Sequence, residues 1–163
     1  MAPNDMDRAR RGATGYGPAM GYRRDVSDWW QDFVAALPAR TAKLAVVRRD
    51  GAPHVAPVWV DLDGDDVVFM TSAETIKGRA ILRDPRVTLC WDDERPPFSY
   101  VTVSGTATTS TDPDELLRWG TRIGGRYIGT ERAVEYGRRN AVPPEMVVRV
   151  TPTRVTGARD IAD

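Results

Sequence analysis

The run His54-Val55-Ala56-Pro57-Val58-Trp59-Val60-Asp61-Leu62-Asp63-Gly64-Asp65-Asp66-Val67-Val68-Phe69-Met70-Thr71-Ser72 reads as strand, turn, strand. Its first part, His54 to Leu62, is rich in β-branched and aromatic residues, Asp63-Gly64-Asp65 carries turn chemistry, and Val67 to Thr71 forms a short, largely buried strand. Upstream, Thr41 to Arg48 has a period of two, and Arg49-Asp50-Gly51 turns the chain back into His54. Three antiparallel strands in succession predict a meander. Downstream, Thr75 to Leu82 reads as a short helix that ends at Asp84-Pro85, because the residue before proline is pushed out of the α region. Arg86 to Trp91 and Tyr100 to Thr108 are again strand-like, with Arg95-Pro96-Pro97 between them, so the expected meander reaches five strands.

The flanks extend the same plan. Ser27 is placed to cap a helix whose apolar positions Trp30, Phe33, Val34 and Leu37 follow helical spacing, with Pro38 beyond; this helix should cover one end of a barrel. Asp112 caps another helix through Leu116, Leu117 and Trp119, Gly124-Gly125 should interrupt it, and a further helix runs from Glu131 to Arg139. Met146 to Thr151 and a stretch around Val155 complete the strands. Six or seven strands with short peripheral helices predict a mainly β protein, an antiparallel barrel closed or half-closed so that few strand edges stay exposed. Residues 1–24 lack apolar periodicity and read as an arm, leaving 25–163 as a single domain, the expectation for a chain of 163 residues.

Composition narrows the function. Lys plus Arg and Asp plus Glu both total 23, so there is no positive field to drive nucleic-acid binding. No apolar run approaches the roughly 20 residues of a membrane-spanning helix, and the N-terminus lacks a signal-peptide core, so the cytoplasm is the default. One cysteine, Cys90, and one histidine, His54, hardly suffice for a zinc site or a Cys/His hydrolase. Cys90 suits a buried strand position and His54 a half-exposed one. All basic residues except Lys43 and Lys77 are arginine, and Ala, Gly and Pro are plentiful, which suggests a GC-rich genome such as an actinobacterial one.

No Gly-x-Gly-x-x-Gly fingerprint or Walker loop is present. A different phosphate site is available, since Thr71 and Ser72 end a strand and Lys77 and Arg79 open the next helix. Hydroxyls, helix N–H groups and two cations would converge on one anion. The pattern alone suits solvated surface cations equally well.

The ordered series Asp50-Gly51-Ala52-Pro53-His54-Val55-Ala56-Pro57-Val58-Trp59-Val60, Asp63-Gly64-Asp65, Phe69-Met70-Thr71, Lys77-Gly78-Arg79 and Leu82-Arg83-Asp84-Pro85-Arg86-Val87 resembles the pyridoxamine 5′-phosphate oxidase-like superfamily. The likeness is greatest to the enzymes that use the deazaflavin coenzyme F420. It runs from about Leu37 to Val155 and implies a homodimer of split β-barrels with cofactor sites between the subunits. Matched motif by motif, Pro57, Val58, Trp59 and Val60 would lie along the ring of F420, or of FMN as the alternative. Phe69, Met70, Thr71 and Ser72 would flank its side chain, and Lys77 and Arg79 would hold its phosphate. Tyr100 and the run Arg126-Tyr127-Ile128-Gly129 resemble segments that approach the ring from the partner subunit or frame the substrate pocket, although barrel packing is the commoner fate of such aromatics. An inward core tryptophan would leave the same trace as Trp59. Ala80 stands where family members often carry asparagine. The resemblance implies a reductase passing a hydride to a small unsaturated or carbonyl-type acceptor, with no protein side chain nominated as catalytic and no metal. A non-catalytic flavin- or deazaflavin-binding protein is the other reading.

Overall fold

The computed structural model describes residues 26–162 other than 28; the arm expected over 1–24 lies outside them. Among the described residues the strands are β1 (Ala42–Val47), β2 (Pro53–Val58), β3 (Val60–Asp63), β4 (Asp66–Ser72), β5 (Arg86–Asp93), β6 (Ser99–Ser110) and β7 (Glu145–Ala158). The helices are α1 (Trp30–Ala35), α2 (Ile76–Arg83), α3 (Pro113–Ile128) and α4 (Thr130–Asn140). All strand pairs are antiparallel, in the order β2-β1-β5-β6-β7-β4-β3. This is the expected mainly β split barrel with peripheral helices.

The strand order corrects the meander. The single strand expected over His54 to Leu62 is two strands on opposite edges of the sheet: Val58 pairs with Ala42, whereas Val60 pairs with Phe69. Only Trp59 joins them, so the sheet curls until its two edges meet at that residue. No glycine marks the break, which is why the apolar run concealed it. Two prolines were the available hint, because Pro53 and Pro57 in β2 lack an N–H and are tolerated on an edge strand.

Burial follows the curl. Val67 and Phe69 face the barrel interior with Leu44, Leu89, Trp91 and Val103. Val68 and Val147 face outward into a second core made with Leu116, Trp119 and Ile123 of α3. Covered on both sides, β4 reads as a continuous apolar run rather than an alternation.

Three local expectations also change. Ser27 does not cap α1, which begins at Trp30 after Trp29 and has no side-chain capping bond; the burial of Val26, Trp29 and Trp30 in the core sets its start. Gly124 and Gly125 do not interrupt α3. A Cβ on Gly124 would come within 2.9 Å of the Tyr136 ring, so this glycine serves the close approach of α4, and the helix stops only at Gly129, where φ is 90°. The two last strands are one, β7, with a register shift at Ser104/Gly105 opposite Pro152, a bulge that accommodates the missing proline donor. Asp112 caps α3 as expected, its carboxylate accepting from the N–H groups of Asp114 and Glu115 at 3.0 Å each.

Candidate functional site

The turn from β4 into α2 is fastened by short-range hydrogen bonds. The Thr75 hydroxyl donates to Ser72 O at 2.8 Å and accepts from Gly78 N at 3.0 Å, while Ser72 Oγ accepts from Glu74 N at 3.1 Å. Thr75 is thus the N-cap of α2. The helix lies so close to β4 that a Cβ on Gly78 would sit 2.1 Å from Ser72 O. Gly78 is therefore what allows Lys77 to stand beside the end of β4.

Lys77 borders a cleft of about 310 Å³. It is lined by Pro57 and Val58 of β2 with Trp59, by Met70, Thr71 and Ser72 of β4, and by Ile123, Tyr136, Asn140 and Glu145. Among the described residues Lys77 makes no ion pair within 4 Å. Burial pushes the Glu145 carboxyl above its usual range against the smaller, lowering pull of Lys77, and burial likewise raises the Tyr136 phenol. Trp59 packs against two rings: Tyr127 stacks on it with centroids 4.8 Å apart, and Tyr136, itself part of the lining, leans on it at 5.4 Å.

The family model described as "Pyridoxamine 5'-phosphate oxidase" matches residues 30–158, most of the chain. The protein belongs to the pyridoxamine 5′-phosphate oxidase family. A conserved hypothetical protein from Mycobacterium tuberculosis is 26% identical, with a TM-score of 0.69 over 82% of this chain and 85% of that one. A protein titled F420 reductase is 25% identical, with a TM-score of 0.60 over 71% and 88%. The heme storage protein HutZ of Vibrio cholerae shares the fold at 18% identity, with a TM-score of 0.58 over 71% and 84%. No curated protein sequence matches the chain.

Within this family member the residues singled out by sequence fall into three places. Pro57, Val58, Trp59, Met70, Thr71, Ser72 and Lys77 line the one cleft. Val60, Phe69 and Tyr127 lie behind it: the side chains of Val60 and Phe69 are fully buried in the barrel core, and the Tyr127 hydroxyl accepts from Val60 N at 3.1 Å and donates to Arg40 O at 2.7 Å. The Val60 N–H is therefore engaged within the chain. Arg79 and Tyr100 lie elsewhere. The Arg79 guanidinium donates to Glu74 O and borders a second groove with Arg48, Arg49 and Arg83, and Tyr100 stands on β6 between Asp92 and Ala158.

Sequence reasoning did not single out Thr75, Ile123, Tyr136, Asn140 or Glu145. Tyr136 and Asn140 lie four residues apart on one face of α4, a spacing that signals a shared surface but does not say what that surface meets. Glu145 follows Pro143-Pro144 with no local signal at all; the pairing of Glu145 with Ser72 across β7 and β4 brings it to the cleft.

The residues present fit a flavin-type cofactor. Lys77, the hydroxyl-bearing residues Thr71, Ser72 and Thr75, and the apolar residues Pro57, Val58 and Trp59 line one cleft, a combination suited to an anion held beside a ring. Among the described residues, no cluster of His, Cys, Asp and Glu is arranged to hold a metal, and no helix is long and apolar enough to cross a membrane.

Proposed function

We propose that the protein is an F420-dependent reductase acting on an unsaturated or carbonyl-type small organic acceptor, and that it works as a homodimer with cofactor sites at the subunit interface. The observation that carries this reading is Lys77, which among the described residues forms no ion pair within 4 Å, in the lining of a cleft shared with Pro57, Val58 and Trp59. The similarity to an F420 reductase at 25% identity supports the choice of coenzyme. Lys77 would hold the coenzyme's phosphate together with Ser72 and the start of α2, and the end of β2 would hold its ring. When bound, the deazaflavin supplies the hydride. The chain's own contribution is orientation and electrostatics: the Trp59 indole, braced by Tyr127 and Tyr136, gives the ring a rigid wall.

Titration of the purified protein with F420 and with FMN, followed by tryptophan fluorescence, tests the proposal. Micromolar F420 should quench the signal, and oxidation of the reduced coenzyme in the presence of a panel of quinones and enones should then show turnover. Tight FMN binding and a yellow protein, with no response to F420, would move the assignment to an FMN-dependent enzyme. Binding without turnover on any acceptor would leave a carrier of the cofactor.

A further inference from the structure

Residues of α2 and of the turn after β1 line a second groove, of about 690 Å³. The turn contributes Arg48 and Arg49. From α2 come Leu82 and the set Ile76, Arg79, Ala80 and Arg83, whose spacing of three and four places them on one helical face. Four of the lining residues are arginines and none is acidic. Arg48 meets Asp50 at 2.9 Å. Among the described residues, Arg49, Arg79 and Arg83 meet no carboxylate within 4 Å, whereas Arg40, Arg122, Arg126 and Arg149 each meet one. The Arg79 guanidinium donates to Glu74 O and that of Arg83 to Val47 O. These bonds fix the two side chains without neutralising them, since a carbonyl oxygen carries no net charge. The Arg49 side chain makes no hydrogen bond among the described residues. The rest of the lining is aliphatic, and Ile76 and Leu82 are 46% and 57% exposed. Like charges gathered without counter-charges raise one another's energy, and aliphatic surface left in water costs as well. A ligand with both an anionic and an aliphatic part relieves both costs.

We propose that this groove is a second binding site, separate from the Lys77 cleft, for a small amphiphilic anion: an aliphatic chain that ends in a carboxylate or a phosphate. The arginine forks take the head through charge-assisted, bidentate hydrogen bonds, which either head group accepts. Ile76 and Leu82 take the chain. The volume of about 690 Å³ suits a small molecule, for which pockets run roughly 300 to 1,000 Å³. A bare inorganic anion would leave the aliphatic lining wet, and an uncharged chain would leave the guanidinium groups without a counter-charge. The inference does not depend on the cofactor reading, because the groove and the cleft share no lining residue.

Nuclear magnetic resonance titration of the full chain with octanoate, octyl phosphate, acetate and 1-octanol tests it. Octanoate and octyl phosphate should each saturate, with the largest shifts on the amides of 48–51 and 76–83. Each added methylene should tighten binding by about twofold, half the transfer energy of a buried methylene because the groove stays open to water on one side. Octanoate, six methylenes longer than acetate, should then bind on the order of sixtyfold more tightly. Arg49→Ala should weaken octanoate by about tenfold, and Leu82→Ser by about threefold. Both side chains are exposed, so neither change removes a core contact. Acetate binding as tightly as octanoate would reduce the groove to a bare anion site, and 1-octanol matching octanoate would reduce it to an apolar patch; either result overturns the proposal. So does unchanged octanoate affinity in either variant, absence of saturation with both amphiphiles, or shifts confined to the Lys77 cleft. Titration with F420 reads the other cleft, so the cofactor reading stands or falls separately.

Discussion

The ring of Tyr127 lies parallel to the indole of Trp59, with planes within 1° and centroids 4.8 Å apart, and its hydroxyl reaches past the indole to the backbone of Val60 at 3.1 Å. One side chain of α3 thereby holds the break residue and the first residue of β3. Tyr127→Phe keeps the stack but orphans the buried Val60 N–H and should cost about 1–3 kcal/mol of stability. Tyr127→Leu should cost about 0.5–1.5 kcal/mol more through loss of the aromatic pair. Chemical denaturation midpoints check both.

Lys77→Ala should weaken cofactor binding by about 1.5–3 kcal/mol, the scale of a charge-assisted hydrogen bond. Arg79→Ala should have a smaller effect, because the Arg79 guanidinium is committed to Glu74 O and borders a different groove. Titrating both variants with F420 distinguishes them; an equal loss would bring Arg79 into the cleft upon binding.

Gly78→Ala places a Cβ where Ser72 O stands, 2.1 Å away. Backbone cannot yield as a flexible side chain does, so α2 must shift away from β4. The expected result is a loss of about 1–3 kcal/mol of stability together with weaker cofactor binding, read by thermal unfolding and titration. Wild-type stability would show that the turn relaxes without strain.

Acid should destabilise the protein in part through Asp84. Its hydrogen bonds from the Arg86 side chain and backbone hold its carboxyl down to about 2. A carboxyl depressed in the folded state contributes stability above its unfolded value near 4, and that contribution fades as pH falls toward about 2. Asp93, held low by Arg95 and Arg40, acts in the same sense at still lower pH. Asp84→Asn should flatten the stability profile between about pH 4 and 2, while leaving its shape above pH 5 unchanged; an unaltered acid limb in denaturation curves would rule this out.

Local chemistry made much of the architecture legible. Asp112 capped its helix because its side chain meets N–H groups two and three residues away, and the turns at Gly51 and Gly64 rest on positive φ that glycine adopts freely. The strand pairings were less accessible. An apolar run such as His54 to Leu62 is equally compatible with one strand or two, and nothing within it says that its halves belong to opposite edges. Gly124 shows the same limit, since a glycine in a helix reads as a break until the partner that requires its small size, Tyr136, is known.

The sequence by itself determined the mainly β class, the capped starts of α2 and α3 and the family motifs, because each depends on residues within a few positions of one another. Tertiary structure alone decided the closure at Trp59, the support of that residue by Tyr127, and the meeting of Lys77 with Tyr136, Asn140 and Glu145 in one cleft. Those contacts join residues dozens of positions apart, and which of them form is set by sheet curvature and by the packing of α3 on β4 rather than by any local preference.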